Sequence, residues 1–263
     1  MIGRLVRAMR CEALKLRRRP LGWSPLLASA LAAAAAVGWR AVSLRGAAAE
    51  GAEALRVLPT AWWALPAALA WGVTAGGLLL LIVAAMTLAE ERELGTAKVV
   101  FSKPVRRGEI VFAKGAVLLL ATIAIVFVAL AVGLAVGGAL WGFGDVVDAA
   151  YPDYVFHTAG SAVCEIDGVA YCLPRQALLA AALTVPPVFA LLALALCVGS
   201  FTRQTGVSVG IAFSLLLFGQ ALAWLWDAAA PWIVNSYVRF PTETLTAYVT
   251  GESTRLWAER WPS

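Results

Sequence analysis

The sequence predicts an all-α integral membrane protein: an N-terminal amphipathic helix followed by five membrane-spanning helices. Three observations carry this. Hydrophobic residues make up 61% of the 263 residues and charged ones only 14%, against roughly 45–50% and 25% in soluble domains. The apolar residues gather into five runs, each close to or above the roughly 20 residues that span a hydrocarbon core of about 30 Å. Tryptophans cluster at the ends of those runs, where indoles favour the membrane interface.

The first element is residues 1–19, with Arg4, Arg7, Arg10, Lys15, Arg17, Arg18 and Arg19 against a single acid, Glu12. A basic start before an apolar run also fits a signal peptide. The basic region is long, however, the run reaches spanning length, and Trp39-Arg40 follows it. A surface helix is therefore expected, with Ile2, Leu5, Val6, Met9 and Leu16 toward the bilayer and the arginines on anionic headgroups.

Spans are expected at 21–39, 62–88, 110–140, 176–200 and 207–227. Trp23 and Trp39 bracket the first, and 42–59 reads as a polar, alanine-rich external loop. Trp62-Trp63 anchors the second, which is long enough to tilt. Trp141 closes the third, and 142–175 is an external module with Asp145, Asp148, Asp153, Glu165 and Asp167. The fourth is expected to break near Pro186-Pro187, and the fifth ends at Trp224 and Trp226. The tail, 231–263, is too polar to span.

Charge counting sets the orientation. With the N-terminus inside, inner segments hold fourteen Lys and Arg and outer segments seven, while the acids divide five inside and eleven outside. By the positive-inside rule the N-terminus is cytoplasmic.

The stretch from Met86 to Lys114, MTLAEERELGTAKVVFSKPVRRGEIVFAK, holds ten ionisable side chains between two apolar runs. In hydrocarbon each would cost roughly 2.5–3.5 kcal/mol at a helix centre, so residues 89–109 are expected at the cytoplasmic surface. Gly95 can end a helix carrying Glu90–Leu94, and Pro104 stops another after Ser102-Lys103. The stretch reads as short amphipathic helices lying flat, offering Leu94, Val99, Val100 and Phe101 to a partner or the bilayer. An ordinary charged loop is the plainer reading.

The order of residues, E-R-E-x-G-T, then S-K-P-V-x-R, then E-I-V and a Lys, is similar to the cytoplasmic loop after the second span of bacterial ABC exporter permeases of the second (ABC-2) type. The resemblance is closest to the nitrous-oxide-reductase-maturation and gliding-motility branch. It implies that Glu90, Glu91, Arg92, Glu93, Gly95, Thr96, Lys98, Ser102, Lys103, Pro104 and Arg106 form a coupling region seated in a cleft of a separate ATPase subunit. It also implies an N-terminal elbow helix, a second permease copy (identical or related), and ATP and Mg on the ATPase rather than on this chain. Members usually have six spans. Here the sequence stops before a sixth, which leaves either a truncated chain or a member that does without it.

Other chemistry is sparse. Cys164 and Cys172 flank EIDGVAY, and Asp167-Gly168 is a strong turn signal. A disulfide is expected there if the outside is an oxidising periplasm, two free thiols being the other reading. Cys11 and Cys197 are expected to be unpaired. His157, the one histidine, is too little for zinc or copper, which need three or four ligands, so no metal site is expected. Thr74, Thr87, Thr122, Thr184, Ser208, Ser214 and Gln220 fit interhelical hydrogen bonding, with Gly72, Gly76, Gly77 and Gly210 allowing close packing. No span is expected to carry a buried charge, which counts against an ion-coupled transporter. The phosphate-cradling pattern G-x-x-x-x-G-K-[ST] does not occur, so ATPase activity must come from a partner. Glu90-Glu91 as a membrane-protease pair fails for want of histidines at membrane depth.

The expected function is a multi-pass permease of the bacterial inner membrane. It would turn a partner's ATP hydrolysis into export, with helices two and three transmitting the motion. The alternative is a non-transporting anchor or mechanotransmitter that acts on an external protein partner. Nothing suggests nucleic acid, and the substrate is not legible.

Overall fold

The computed structural model describes residues 2–49, 58–94, 107–147, 155–157, 165–166, 169–170, 173–226 and 232–250. Among the described residues seven helices dominate: α1 (Ile2–Arg18), α2 (Pro20–Ala49), α3 (Ala61–Glu93), α4 (Arg107–Trp141), α5 (Leu173–Phe201), α6 (Thr205–Leu225) and α7 (Val234–Val249). Between α4 and α5 lie four short strands, β1 (Val146–Val147), β2 (Val155–His157), β3 (Glu165–Ile166) and β4 (Val169–Ala170). Among the described residues five helices, α2 to α6, are long and apolar enough to cross a membrane. The all-α membrane class holds.

Three boundaries correct the sequence reading. Helix α2 continues to Ala49 through what reads as a loop, because residues 42–49 are rich in alanine, the strongest helix former. Helix α3 continues past Leu88 to Glu93, so Glu90–Glu93 ride the end of a span rather than a separate helix lying flat. Helix α5 is unbroken through Pro186 and Pro187. Membrane helices tolerate such prolines because the freed carbonyls find other partners.

The fold divides into two compact units. One comprises Met1–Ala28, Ala75–Ile125 and Val185–Val238. Its core is Leu80, Val83, Leu118, Ile125, Leu192 and Leu196. Pro20 opens α2 as a proline can at a first helical position. Gly22 lets α2 start against the end of α1: a Cβ there would stand 1.9 Å from the Leu16 carbonyl oxygen. Gly199 faces Ala85 closely as well, a Cβ falling 2.5 Å from its carbonyl oxygen. Ser208, on α6, donates to that same oxygen at 2.8 Å.

The second unit comprises Ser29–Thr74, Val126–Thr184 and Arg239–Ser263, with Val37, Leu65, Leu69, Leu173, Leu245 and Tyr248 buried. Thr60 caps α3, its hydroxyl oxygen accepting the Trp63 N–H at 3.3 Å. Gly142 ends α4 in the left-handed region at φ 74°, and its carbonyl accepts the Ala61 N–H at 3.1 Å. Gly72 and Gly133 bring small residues together: Cβ atoms there would fall 2.8 Å from that of Ala129 and 2.6 Å from that of Ala68. Strands β1 and β2 pair antiparallel, as do β3 and β4, with Ile166 opposite Val169. Asp167 and Gly168, where a turn is expected, lie outside the described residues. Cys164 and Cys172 lie outside the described residues.

Two packing expectations need correction. Gly210 meets nothing within 4 Å. Thr74, Thr87, Thr122 and Thr184 donate to carbonyls of their own helix, at Ala70, Ala84, Leu118 and Ala180. A threonine hydroxyl reaches the preceding turn more easily than a neighbouring helix. Ser208, by contrast, bonds to another helix.

Candidate functional site

Of the charges of the Met86–Lys114 stretch, Glu90, Glu91 and Lys114 meet α1 within the first unit. Lys114, one turn beyond the expected start of the third span, is buried, its side chain 3% exposed. Its ammonium donates to Glu12 Oε2 at 2.9 Å and Glu91 Oε1 at 3.0 Å. Lys15 closes the ring, donating to Glu12 Oε1 at 2.8 Å and Glu91 Oε1 at 3.1 Å. Two cations and two carboxylates alternate, so the ring is neutral. It ties α1 to the end of α3 and the start of α4. Beside it, Arg19 pairs with Glu90.

The two bridging cations are not equivalent. Lys15 is 49% exposed, so water screens its contacts. Lys114 is not screened in this way, and its charge needs both carboxylates. Burial works against the Glu12 charge, but the Lys114 ammonium and hydrogen bonds from Lys15 and Lys114 outweigh it, holding Glu12 below the ordinary 4.5. Lys15 moves the other way: burial is outweighed by its bonds to Glu12 and Glu91, which raise it above 10.5.

Glu93 engages a third element. Gln204, at the α6 N-cap, supplies no side-chain cap. Instead the Glu93 carboxylate accepts the Thr205 backbone N–H at 3.0 Å and the Thr205 hydroxyl. An anion at a helix N-terminus is favourably placed against its dipole. Thus Glu90, Glu91 and Glu93, expected to meet groups on a partner, each have a partner within the chain. Arg92 and Leu94 are exposed. Gly95, Thr96, Lys98, Ser102, Lys103, Pro104 and Arg106 lie outside the described residues.

Under the ring is a cavity of about 60 Å³, lined by its charged groups and by Val83, Met86, Val117 and Leu118. That is room for about four waters.

The expectation that no span carries a buried charge is corrected at Lys114, and Arg40 is half-buried. Lys114 lies within α4. Arg40, in the second unit, lies within α2 rather than beyond it. Its guanidinium stacks 4.4 Å over the Trp63 ring and donates to the Trp63 carbonyl at 2.6 Å, while Trp63 packs edge-on against Trp141. Cation–π contact and a carbonyl acceptor make a half-buried arginine tolerable. Sequence spacing could have flagged Lys114, since it falls inside an apolar run. Its partner Glu12 is 102 positions away, beyond any local signal.

A model of ABC-2 family transporter proteins matches residues 25–237. No curated protein and no solved structure matched the chain. The family match runs from within α2 into α7 and covers most of the sequence, and the chain belongs to the ABC-2 family of transporter proteins.

Proposed function

We propose that this chain is the permease half of an ABC exporter of the bacterial inner membrane, driven at residues 89–109 by a separate ATPase subunit in the cytosol. Membership of the ABC-2 family supports the permease role, with ATP-binding-cassette ATPases and a second permease copy as its general partners. The motifs around Glu90–Arg106 favour the nitrous-oxide-reductase-maturation and gliding-motility branch. The excess of Lys and Arg in segments on the same side supports a cytoplasmic N-terminus.

The observation that carries the mechanism is the form of α3 and α4. These uninterrupted helices of 33 and 35 residues flank residues 95–106, and each is about 50 Å long at 1.5 Å per residue. A push on the segment between them moves both as rods. Arg92, Lys98, Ser102, Lys103 and Arg106 are the groups that would face the ATPase, setting register more than affinity. Glu90, Glu91 and Glu93 then act inside the chain. Through Arg19, the Lys15–Glu12–Lys114 ring and Thr205 they pass displacement to α1 and α6. ATP and Mg act on the partner, and no cofactor is assigned to this chain.

The test is the double variant Lys98→Glu/Lys103→Glu, with membrane insertion checked separately. The expected result is loss of ATPase co-purification, or ATP hydrolysis that no longer drives export, in a normally inserted protein. Unchanged association and unchanged transport would overturn the assignment.

A further inference from the structure

A second, larger hollow of the first unit lies beside the α1–α2 elbow. It is a groove of about 290 Å³ lined by α1, the start of α2, α3 and α4. Leu80 and Ile125 form its buried floor, and Trp23 and Leu120, 49% and 59% exposed, stand at its rim. Among the described residues, every lining residue but one is apolar or glycine, and the exception is Arg17. An apolar cavity of about 150 Å³ stays dry and takes up hydrocarbon, so walls of this kind at twice the volume suit an acyl segment and not water.

We infer that this groove is a binding site for one anionic phospholipid, its acyl chain between Trp23 and Leu120 and its headgroup phosphate on Arg17. The charge argues for the anionic class. Arg17 is exposed, no acid among the described residues lines the groove, and Glu12, the single acid of residues 1–19, is held by Lys15 and Lys114. An arginine fork matches phosphate in a bidentate manner. The position agrees: α1 is a basic amphipathic helix of the kind that lies at headgroup depth, and Trp23 is an interfacial residue. The indole N–H of Trp23 donates to the Arg17 backbone carbonyl at 2.8 Å. That bond fixes the rim without using the guanidinium. The lipid site needs only a membrane location and stands apart from the ATPase assignment.

The full chain, purified in mild detergent, is titrated with phosphatidylglycerol or phosphatidylcholine of identical chains, and bound lipid is counted by native mass spectrometry. One phosphatidylglycerol is expected to stay bound in preference to phosphatidylcholine. Arg17→Gln is expected to cut that preference by about five-fold, the scale of one basic residue at an anionic surface. Arg18→Gln removes the same charge from a residue that does not line the groove, and it should leave the preference nearly intact. Ala121→Trp, which fills the groove, should abolish retention of either lipid, and inorganic phosphate should not displace the bound one. Equal losses for Arg17→Gln and Arg18→Gln would reduce the effect to diffuse attraction and overturn the site. So would full retention in Ala121→Trp, or displacement by phosphate alone.

Discussion

Replacing Lys114 with methionine tests whether the ring at the α1–α3–α4 junction holds the structure together. The substitution keeps the stem and removes the ammonium, leaving Glu12 and Glu91, 15% and 19% exposed, to share Lys15. Removing one partner of a buried pair costs about 3–5 kcal/mol. Because Lys15 still serves both carboxylates, the low end applies, about 3 kcal/mol. Lys15→Met removes a half-exposed cation that also makes two bonds, and exposed pairs of this kind are worth under about 1 kcal/mol. The gap between the variants, about 2 kcal/mol, corresponds to roughly a thirty-fold difference in the folded-to-unfolded ratio. Denaturation in mixed micelles, followed by tryptophan fluorescence, reads it as a midpoint shift at constant slope. Glu91→Gln combined with Lys114→Met should cost less than the two single changes added together, since the members share one network. Equal shifts for Lys114→Met and Lys15→Met, or strict additivity in the double variant, would refute the reasoning.

The ring should also leave a pH signature. Glu12 is held below 4.5, so its contribution is complete above that value and is lost as pH falls through the lowered folded pKa. Lys15 is raised above 10.5, so its contribution is complete below that value and is lost as pH rises through the raised one. The stability difference between wild type and Glu12→Gln should therefore be flat from about pH 5 to pH 9 and shrink in acid; a difference that changes between about pH 6 and pH 8 would count against it. At α6, Glu93→Ala should speed amide exchange in the first turn more than Thr205→Val does, because the carboxylate also caps a backbone N–H; matching exchange rates would sink the capping role. Gly22→Ala should destabilise by about 2–3 kcal/mol, the cost of forcing a methyl into a filled space, whereas Gly210→Ala, with nothing within 4 Å, should be near neutral or stabilising. The reverse ranking would disprove the close approach at the elbow.

The architecture is legible in the sequence because its signals are local. A run such as 110–140 identifies itself by length and composition, and Trp141 marks its end by interface preference; the left-handed cap at Gly142 shows only in the structure. Residues 42–49 read as a loop only when polarity is weighed over the helix propensity of alanine. Pro186 and Pro187 mislead because a rule for water-soluble helices does not carry into a protein whose carbonyls are satisfied otherwise. The site is legible only in part. Charge density and motif order single out Glu90–Arg106, but whether a carboxylate there faces outward or inward depends on distant partners: on α1, 71 and 76 positions away, for Glu90 and Glu91, and on α6, 112 positions away, for Glu93. Arg40 escapes notice because it looks like the flank of a span until the helix is seen to run through it, whereas Lys114 falls inside an expected span and is hidden only by the distance of its partner Glu12.

The central claim is that residues 95–106 are gripped by a separate ATPase from the cytosol, and a photo-crosslinking residue at Lys98, activated in native membranes, tests it directly. The account predicts an adduct to an ATP-binding-cassette subunit whose yield changes with nucleotide. No adduct to such a subunit, together with labelling of the same position by a membrane-impermeant reagent from outside the cell, would contradict it.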